Sequence, residues 1–305
     1  PIGITIQNNR YPSYKWIKHS VGNKQSLIND QVNSIIEDSE GDLWYGTNNG
    51  ISLQDSKTGK WRSFLSTFEN VQNSKNHIFT TLCEVSPGII WAGGYFSGLY
   101  QIDKRTSKTT YFTPASYAHE SIRPDKYIRD IRKDSRGYVW SGGYYNLKRI
   151  NVQTKDIRLY HGLHSVTAII EKDDKSMWIG TATGLFLLDI ESGKYERIQL
   201  PVESTYVYSL YQTKQGSLYI GTSGSGVLIY DPQTKLFTHY YTGNCAMISN
   251  NIYTILSDED NEILLSTENG LTSFYPKQKT FYNWTKEMGL MNYALQCVVR
   301  YPAQK

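Results

Sequence analysis

Short segments rich in apolar residues, six or seven residues long, recur along the chain. Examples are VNSIIED (32–38), VYSLYQT (207–213) and IYTILSD (252–258). Apolar segments of this length, bounded by turn residues, are typical of β-strands, whereas a helix requires apolar residues at i, i+3, i+4 and i+7 over a longer window. No window has such a helical stripe for more than two turns. The pattern therefore predicts an all-β protein.

A second pattern repeats over a longer distance. Its consensus is G-x-apolar-aromatic-x-G-T-x-x-G-apolar, and six copies occur: GDLWYGTNNGI (41–51), GIIWAGGYFSGL (88–99), GYVWSGGYYNL (137–147), KSMWIGTATGL (175–185), GSLYIGTSGSGV (216–227) and NEILLSTENGL (261–271). The aromatic position is Trp44, Trp91, Trp140, Trp178 and Tyr219, with Leu264 in the last copy. The spacings between copies are 47, 49, 38, 41 and 45 residues. Periods of this length are typical of propellers and solenoids.

Each copy has the same surroundings. An apolar segment precedes it, and an aromatic segment such as WRSFL or FTHYY follows after a polar turn. In five copies an Asp or Asn opens that turn, and its side chain can bond the backbone two residues on. These residues are Asp55, Asp103, Asn151, Asp189 and Asp231. Four strands per repeat predict the blade of a β-propeller. A β-solenoid is the alternative, but its rungs are usually shorter.

The two ends contain partial repeats. Residues 1–20 match the third and fourth strands of a blade, residues 21–291 contain six full blades, and residues 292–305 match a first strand. We predict a single domain, residues 1–305, that is a seven-bladed propeller with one incomplete blade made from both ends. A segment of a longer array is the alternative, since a blade without its second strand would have an unpaired edge.

Composition and charge exclude several classes of function. The net charge of +4 is too small for the basic stripe of a nucleic-acid-binding protein, so we expect no nucleic acid partner. Cys83, Cys245 and Cys297 have neither disulfide-framework nor zinc-site spacing. No apolar run approaches the 18 residues of a membrane span. GTSGSG (221–226) has no following lysine or helix, so it is not a phosphate loop. We predict no cofactor and no metal.

The stretch DSEGDLWYGTNNGI, preceded by SLINDQVNSII, resembles the two-component regulator propeller repeat. The resemblance covers essentially the whole chain, although Tyr219 and Leu264 replace the tryptophan and the third copy lacks the second loop glycine. It implies a periplasmic sensor region of a hybrid two-component system whose parent protein contains a histidine kinase. It also implies an oligosaccharide ligand, a homodimer formed through the parent protein, and membrane contact only through parts of the parent.

The repeated aromatics are interpreted as packing residues. A ligand site is seldom built six times, whereas a tryptophan on the second strand of every blade fills the space between blades. We therefore predict Trp44, Trp91, Trp140, Trp178 and Tyr219 as structural anchors, and expect ligand contacts where the blades differ.

Two loops between second and third strands differ from the short others. Tyr95, Phe96, Tyr144, Tyr145 and Asn146 lie in these loops, on adjacent blades. Flat aromatic faces can stack on the apolar faces of sugar rings, so these five residues are candidate ligand contacts. Packing within the loops is the alternative interpretation.

The same region contains a run of positive charge: Arg123, Lys126, Arg129, Arg132, Lys133 and Arg136. Arg132 is unusual because the other copies have Ile36, Cys83, Ile170, Tyr211 and Leu256 at its position. An arginine in an apolar position needs a partner, either an internal carboxylate or an anionic ligand. Arg123 and Arg129 could hold a carboxylate or sulfate of an acidic glycan through bidentate hydrogen bonds. A solvated or internally paired basic face is the alternative.

The sequence thus predicts a non-catalytic, carbohydrate-sensing propeller that takes part in signal transduction. No set of residues combines an acid, a base and a nucleophile, and His161 and His164 lack nearby metal ligands. Two alternatives remain. One is a propeller lyase or hydrolase acting on a saccharide or lactone, and the other is a protein–protein interaction or dimerisation scaffold.

Overall fold

The computed structural model describes residues 4–7, 14–66, 77–112, 127–203, 205–257 and 262–285. Regular structure in these ranges consists of 26 β-strands, without a helix. The all-β prediction is therefore confirmed for the described part of the chain.

Two strands near the start pair with each other. They are β1 (Ile4–Gln7) and β2 (Tyr14–Ile17), which form a two-stranded sheet. They lie where the sequence predicted third and fourth strands of a partial blade. The matching first strand, within residues 292–305, lies outside the described residues, so the seventh blade stays a prediction.

The remaining strands form six four-stranded sheets, in which neighbours are consecutive along the chain. Blade one contains β3 (Val32–Glu37), β4 (Leu43–Thr47), β5 (Gly50–Gln54) and β6 (Trp61–Phe64). Blade two contains β7 (Ile78–Ser86), β8 (Ile89–Tyr95), β9 (Gly98–Asp103) and β10 (Thr109–Tyr111). Blade three contains β11 (Ile128–Lys133), β12 (Val139–Gly143), β13 (Leu147–Ile150) and β14 (Ile157–Tyr160).

The second half of the chain repeats this plan. Blade four contains β15 (Val166–Asp173), β16 (Ser176–Thr181), β17 (Gly184–Asp189) and β18 (Tyr195–Ile198). Blade five contains β19 (Val207–Gln212), β20 (Leu218–Thr222), β21 (Val227–Asp231) and β22 (Leu236–Tyr240). Blade six contains β23 (Ile252–Ser257), β24 (Ile263–Thr267), β25 (Gly270–Tyr275) and β26 (Thr280–Trp284). Six blades of four strands are those that the repeat predicted.

The blades belong to two compact units, centred on Trp16–Val166 and on Thr167–Lys305. In the first unit, Trp44 packs in one apolar cluster with Phe79 and Ile90 of the next blade, and Trp91 packs with Ile131 and Val139. In the second unit, Trp178 clusters with Leu218, and Tyr219 clusters with Ile255 and Leu265. Within each unit the repeated aromatics therefore lie between consecutive blades. The interpretation of the sequence as a single domain stays a prediction.

The turns between third and fourth strands have the side-chain bonding that the sequence predicted. Asp55 Oδ1 accepts the backbone N–H of Lys57 and of Thr58, at 3.0 and 2.8 Å. Asn151 Oδ1 accepts those of Gln153 and Thr154, at 2.9 and 3.1 Å. The hydrogen bond from Thr58 is the main reason why the pKa of Asp55 lies below its ordinary value.

Two blade tryptophans are bonded to the turn that precedes them. Trp44 Nε1 donates to Asp38 Oδ2 and Trp140 Nε1 donates to Asp134 Oδ2, both at 2.9 Å. Oδ1 of each aspartate accepts backbone N–H groups of its own turn. One carboxylate thus connects the hairpin turn to the packed indole.

Lys104 connects blades one and two through a cluster of carboxylates. Its Nζ lies 2.6 Å from Asp38 Oδ2, 2.7 Å from Glu40 Oε2 and 2.7 Å from Asp42 Oδ2. The side chains of Lys104, Asp38 and Asp42 are buried, whereas that of Glu40 is exposed. Burial would lower the pKa of Lys104, but the hydrogen bonds to Asp38, Asp42 and Glu40 raise it above its ordinary value.

Candidate functional site

The first strands of five blades contain a β-bulge near their start. The register against the second strand shifts between Val32 and Ser34 in blade one, and between Ile128 and Asp130 in blade three. Corresponding shifts occur in blades two, five and six. A bulge leaves one residue outside the ladder and redirects its side chain. That residue can therefore vary without breaking the sheet.

Three positions lie together at this end of each blade, and we call them the end trio. They are the residue before the buried start of the first strand, the bulge position, and the first residue of the loop between the second and third strands. In chain order the six trios are Gln31, Asn33 and Asn48; Ile78, Thr80 and Tyr95; Tyr127, Arg129 and Tyr144; Ser165, Thr167 and Ala182; Tyr206, Tyr208 and Ser223; and Asn251, Tyr253 and Glu268. The blades therefore differ in chemistry at equivalent positions.

Small polar residues at the bulge position bond the next blade. Asn33 Nδ2 donates to the carbonyl oxygen of Phe79 at 3.2 Å, and Thr80 Oγ1 donates to that of Ile128 at 2.6 Å. Thr167 Oγ1 donates in the same way to the carbonyl oxygen of Val207. In blades one, two and four, the side chain at this position therefore stabilises the contact with the next blade. Arg129, Tyr208 and Tyr253 are of a different kind.

The loop between second and third strands is closed by a threonine in four blades. Thr47 Oγ1, for example, donates to the carbonyl oxygen of Gly50 at 2.8 Å, and Thr181, Thr222 and Thr267 make the equivalent bond. Gly94 and Gly143 occupy this position in blades two and three. A Cβ on Gly143 would lie 1.7 Å from the carbonyl oxygen of Tyr127, and one on Gly94 would lie 1.8 Å from that of Ile78. Glycine is required there because the first strand approaches so closely.

The loops that follow these glycines and the residue before β11 together supply a continuous group of five rings. We call this group the aromatic surface: Tyr95, Phe96, Tyr127, Tyr144 and Tyr145. The ring centroid of Tyr127 lies 4.8 Å from that of Tyr95, 4.4 Å from that of Phe96 and 6.0 Å from that of Tyr144. The centroids of Tyr144 and Tyr145 are 4.9 Å apart. Blades two and three thus share one surface, with Tyr127 at its centre.

The aromatic surface is exposed yet fixed by its backbone. The exposed fractions of Tyr95, Phe96, Tyr144 and Tyr145 are 38%, 48%, 58% and 39%. The N–H of Tyr144 donates to the carbonyl oxygen of Tyr127 at 3.1 Å, and Tyr95 forms an isolated antiparallel bridge with Tyr127. Contiguous exposed aromatic surface on a folded protein is a mark of a binding site.

Further polar groups border this surface. His164 Nδ1 donates to the carbonyl oxygen of Tyr145, and the N–H of Ser165 donates to that of Tyr144 at 3.1 Å. Asn146 is half-buried at the end of its loop. Desolvation, and then the neighbouring tyrosines, raise the pKa of Tyr127 above its ordinary value.

The basic run is only partly available to a ligand. Arg129 is exposed at the bulge position of blade three, within the same end trio as Tyr127 and Tyr144. The partner of Arg132 is internal, since its Nε lies 3.1 Å from Asp130 Oδ1, and its side chain is 62% exposed. The position is thus not the closed apolar slot that the sequence indicated, because its equivalents Ile36 and Cys83 are also only half-buried. Arg123 and Lys126 lie outside the described residues.

Sequence reasoning missed two features of the site. Tyr127 precedes the first strand of blade three and is outside the repeat motif, so only the register shows that it joins the loops. The replacement of the loop threonine by Gly94 and Gly143 is visible in the sequence and coincides with the two aromatic loops. It was a usable signal for the blades that differ.

Other types of site are not formed by the residues that the structure describes. No group of three or more His, Cys, Asp or Glu side chains there is placed to hold a metal ion. In the same part of the chain, no helix is long and apolar enough to span a membrane. Cys83 and Cys245 are not in disulfides.

Two segments of the chain match the family model described as two-component regulator propeller, at residues 26–49 and 201–224. They span the first two strands of blades one and five. Each of these two segments carries the two-component regulator propeller repeat. The resemblance indicated by the glycine–aromatic motif is therefore confirmed.

The proteins to which the chain is similar are distant in sequence and longer. Histidine kinase P4 of Formosa agariphila is 25% identical over 283 residues, which cover 86% of this chain and 20% of the kinase. The extracellular domain of a hybrid two-component system of B. thetaiotaomicron is similar in structure, with a TM-score of 0.76 and 20% identity. That match covers 92% of this chain and 39% of the other. The chain thus spans well under half of either relative.

Lyases share the fold as well. A catalytically inactive virginiamycin B lyase from Staphylococcus aureus, in which a histidine is replaced by alanine, matches with a TM-score of 0.68 and 14% identity. The match covers 88% of this chain and 89% of the lyase. The TM-score is lower than that of the extracellular domain, and at this identity the likeness concerns the fold alone.

Proposed function

We propose that this chain is a ligand-sensing propeller in the periplasmic region of a two-component system, and that it binds a glycan-derived oligosaccharide on its aromatic surface. Five contiguous rings at the ends of two adjacent blades carry the proposal, because flat exposed aromatic faces suit the apolar faces of sugar rings. The fold likeness to an extracellular domain supports the location. The complete propeller has seven blades, the seventh made from both ends of the chain.

Occupancy is transmitted by the parent protein, which supplies the kinase, the membrane contact and the dimer. In this proposal the chain recognises the ligand and carries out no chemistry of its own. The rigid backbone under the aromatic surface supports recognition, since a site held by strand pairing loses little conformational entropy on binding.

Arg129 favours an acidic glycan over a neutral one as the ligand. It is an exposed guanidinium in the same end trio as Tyr127 and Tyr144, and such a group can hold a carboxylate or sulfate by two parallel hydrogen bonds. A neutral sugar would use the rings alone.

The test is a panel of neutral and acidic oligosaccharides screened by thermal unfolding and then by calorimetry, because a ligand of the native state raises the midpoint. The expected result is a raised midpoint with one class, lost in the double variant Tyr144→Ala, Tyr145→Ala. Tyr195→Ala is the matched control, since Tyr195 is an equally exposed tyrosine outside the aromatic surface. Binding that survives in the double variant, or a panel without any binder, would overturn the proposal.

A lyase is the alternative that one observation favours. His164 borders the aromatic surface, and its Nδ1 donates to the carbonyl oxygen of Tyr145, which leaves Nε2 directed to other partners. Turnover of any oligosaccharide or lactone by the chain, abolished in His164→Ala, would replace the sensor proposal with this one.

A further inference from the structure

The end trios of blades five and six hold three tyrosines in mutual contact. The ring centroids of Tyr206 and Tyr208 are 4.7 Å apart at an interplanar angle of 49°, and those of Tyr208 and Tyr253 are 5.1 Å apart at 70°. The rings thus stand at steep angles to one another. All three side chains are half-buried, so part of each remains open to solvent.

The fold itself does not require aromatic residues there. Tyr208 and Tyr253 are the bulge residues of their strands, where the register shifts between Val207 and Ser209 and between Ile252 and Thr254. At the same position Thr80 and Thr167 hydrogen-bond the next blade. A threonine would therefore serve the sheet, and the tyrosines need another explanation.

A fixed carboxylate accompanies the rings. Glu268 directly follows Thr267, and Thr267 pairs with Ile252, the neighbour of Tyr253. Asn251 Nδ2 donates to Glu268 Oε2 at 2.8 Å and so orients this exposed carboxylate. Desolvation, and then the charge of Glu268, raise the pKa of Tyr253, which agrees with a carboxylate close to the ring.

The chemistry of the group is that of a cation site. Aromatic rings attract a cation to their electron-rich faces, and rings set at steep angles are the arrangement by which proteins take up ammonium ligands. The carboxylate adds a matching charge, and the two end trios contain no lysine or arginine: Tyr206, Tyr208, Ser223, Asn251, Tyr253 and Glu268. The end trio of blade three, by contrast, contains Arg129 and so disfavours a cation.

We infer that Tyr206, Tyr208, Tyr253 and Glu268 form a second binding site, which takes a small ligand with a positively charged ammonium group. The rings surround the ammonium, and the Glu268 carboxylate neutralises it. The inference goes beyond the glycan proposal and uses none of its residues, so either can fail without the other.

Choline and glucosamine are the probes, titrated calorimetrically at low salt. Their controls are 3,3-dimethylbutan-1-ol, which has the shape of choline without its charge, and glucose. The expected result is that at least one ammonium probe binds more than tenfold more tightly than its neutral counterpart. Choline alone would indicate quaternary amines, and glucosamine alone would indicate amino sugars.

Two variants test the residues of this second site, and a third variant is the control. Tyr208→Thr installs the residue that blades two and four have, so it is expected to fold and to lose binding. Glu268→Gln keeps an acceptor for Asn251. It is expected to lower the affinity for the ammonium probe about tenfold and to leave the affinity for a neutral probe unchanged. Tyr195→Ala is the control. Equal affinity for charged and neutral probes, no binding of either ammonium probe, or unchanged affinity in Glu268→Gln would each overturn the inference.

Discussion

Trp140 donates its indole N–H to Asp134 across 2.9 Å, a bond whose counterpart in blade two is missing. The sixth residue before Trp91 is Val85 instead of aspartate, and the buried Trp91 Nε1 has no acceptor among the described residues. Both indole rings are buried, but only the N–H of Trp140 has a hydrogen-bond acceptor. A buried donor without an acceptor costs free energy that a satisfied donor does not.

Replacing each tryptophan by phenylalanine separates packing from hydrogen bonding. Trp140→Phe removes ring volume and the indole donor to Asp134 Oδ2, whereas Trp91→Phe removes ring volume and an unsatisfied donor. We expect Trp140→Phe to lower the free energy of unfolding by about 1–3 kcal/mol more than Trp91→Phe, as measured by urea unfolding. Equal losses would mean that the bond contributes nothing.

Lys104→Met is expected to change the pH dependence of the free energy of unfolding. Burial would raise the pKa of Asp42, but Lys104 and Ser56 lower it below its ordinary value of 3.8. A lowered pKa contributes stability above that ordinary value, and this stability is lost as the pH falls through the folded-state pKa. Without Lys104, the buried carboxylates are unpaired at neutral pH, at a cost of about 3–5 kcal/mol.

The deficit of Lys104→Met relative to the wild type should therefore shrink as the pH falls from 7 toward about 4, where the carboxylates bind protons. Urea unfolding at several pH values measures it. Lys57→Met, at an exposed lysine of the blade-one turn, is the control and should show no such trend. A deficit that is constant with pH would show that the carboxylates are not the cause.

Gly143→Ala tests the close approach beneath the aromatic surface. The new Cβ would lie 1.7 Å from the carbonyl oxygen of Tyr127, so β11 must move and the pairing of Ile128 with Gly143 is disturbed. We expect a loss of about 1–3 kcal/mol in the free energy of unfolding and weaker binding at the aromatic surface.

The matched control is Thr181→Ala, at the equivalent position of blade four. A Cβ is already present there, so the change introduces no clash. It removes a methyl group and the hydroxyl, which donates to the carbonyl oxygen of Gly184 and accepts the N–H of Thr183, with each hydrogen bond worth about 1 kcal/mol. A Gly143→Ala variant as stable as the wild type would contradict the close approach.

Thr80→Val tests the bond between the first strands of blades two and three. Valine keeps the shape of threonine but removes the hydroxyl that donates to Ile128 at 2.6 Å. The expected loss is about 1 kcal/mol, with faster amide hydrogen exchange in β11. Thr80→Ser retains the donor and should exchange like the wild type. If both variants exchange alike, the hydroxyl does not join the strands.

The fold was predictable because its determinants are local. The short apolar segments, the glycines and the Asx turns each act within a few residues, so Asp55 and Asn151 could be placed from the sequence. The repeat then supplied the blade. The interactions between blades were not predictable in this way, because they depend on contacts between residues far apart in the chain.

Lys104 illustrates this limit. Its turn resembles the others in sequence, and only the packed blades bring its Nζ to Asp38, 66 residues earlier. The candidate site was half predictable for the same reason: Tyr95, Phe96, Tyr144 and Tyr145 stand out as unusual loop residues, whereas Tyr127 and Tyr208 acquire their places from a bulge that the hydrophobic pattern does not reveal.

The repeated bulge separates what the chain must preserve from what it is free to change. Arg129, Tyr208 and Tyr253 lie outside the ladder pairing of their strands, so under the two proposals above recognition can be altered there in small steps without first losing stability. The same positions are the ones to randomise in a combinatorial library. A propeller of this kind is therefore a ready scaffold for new biosensors.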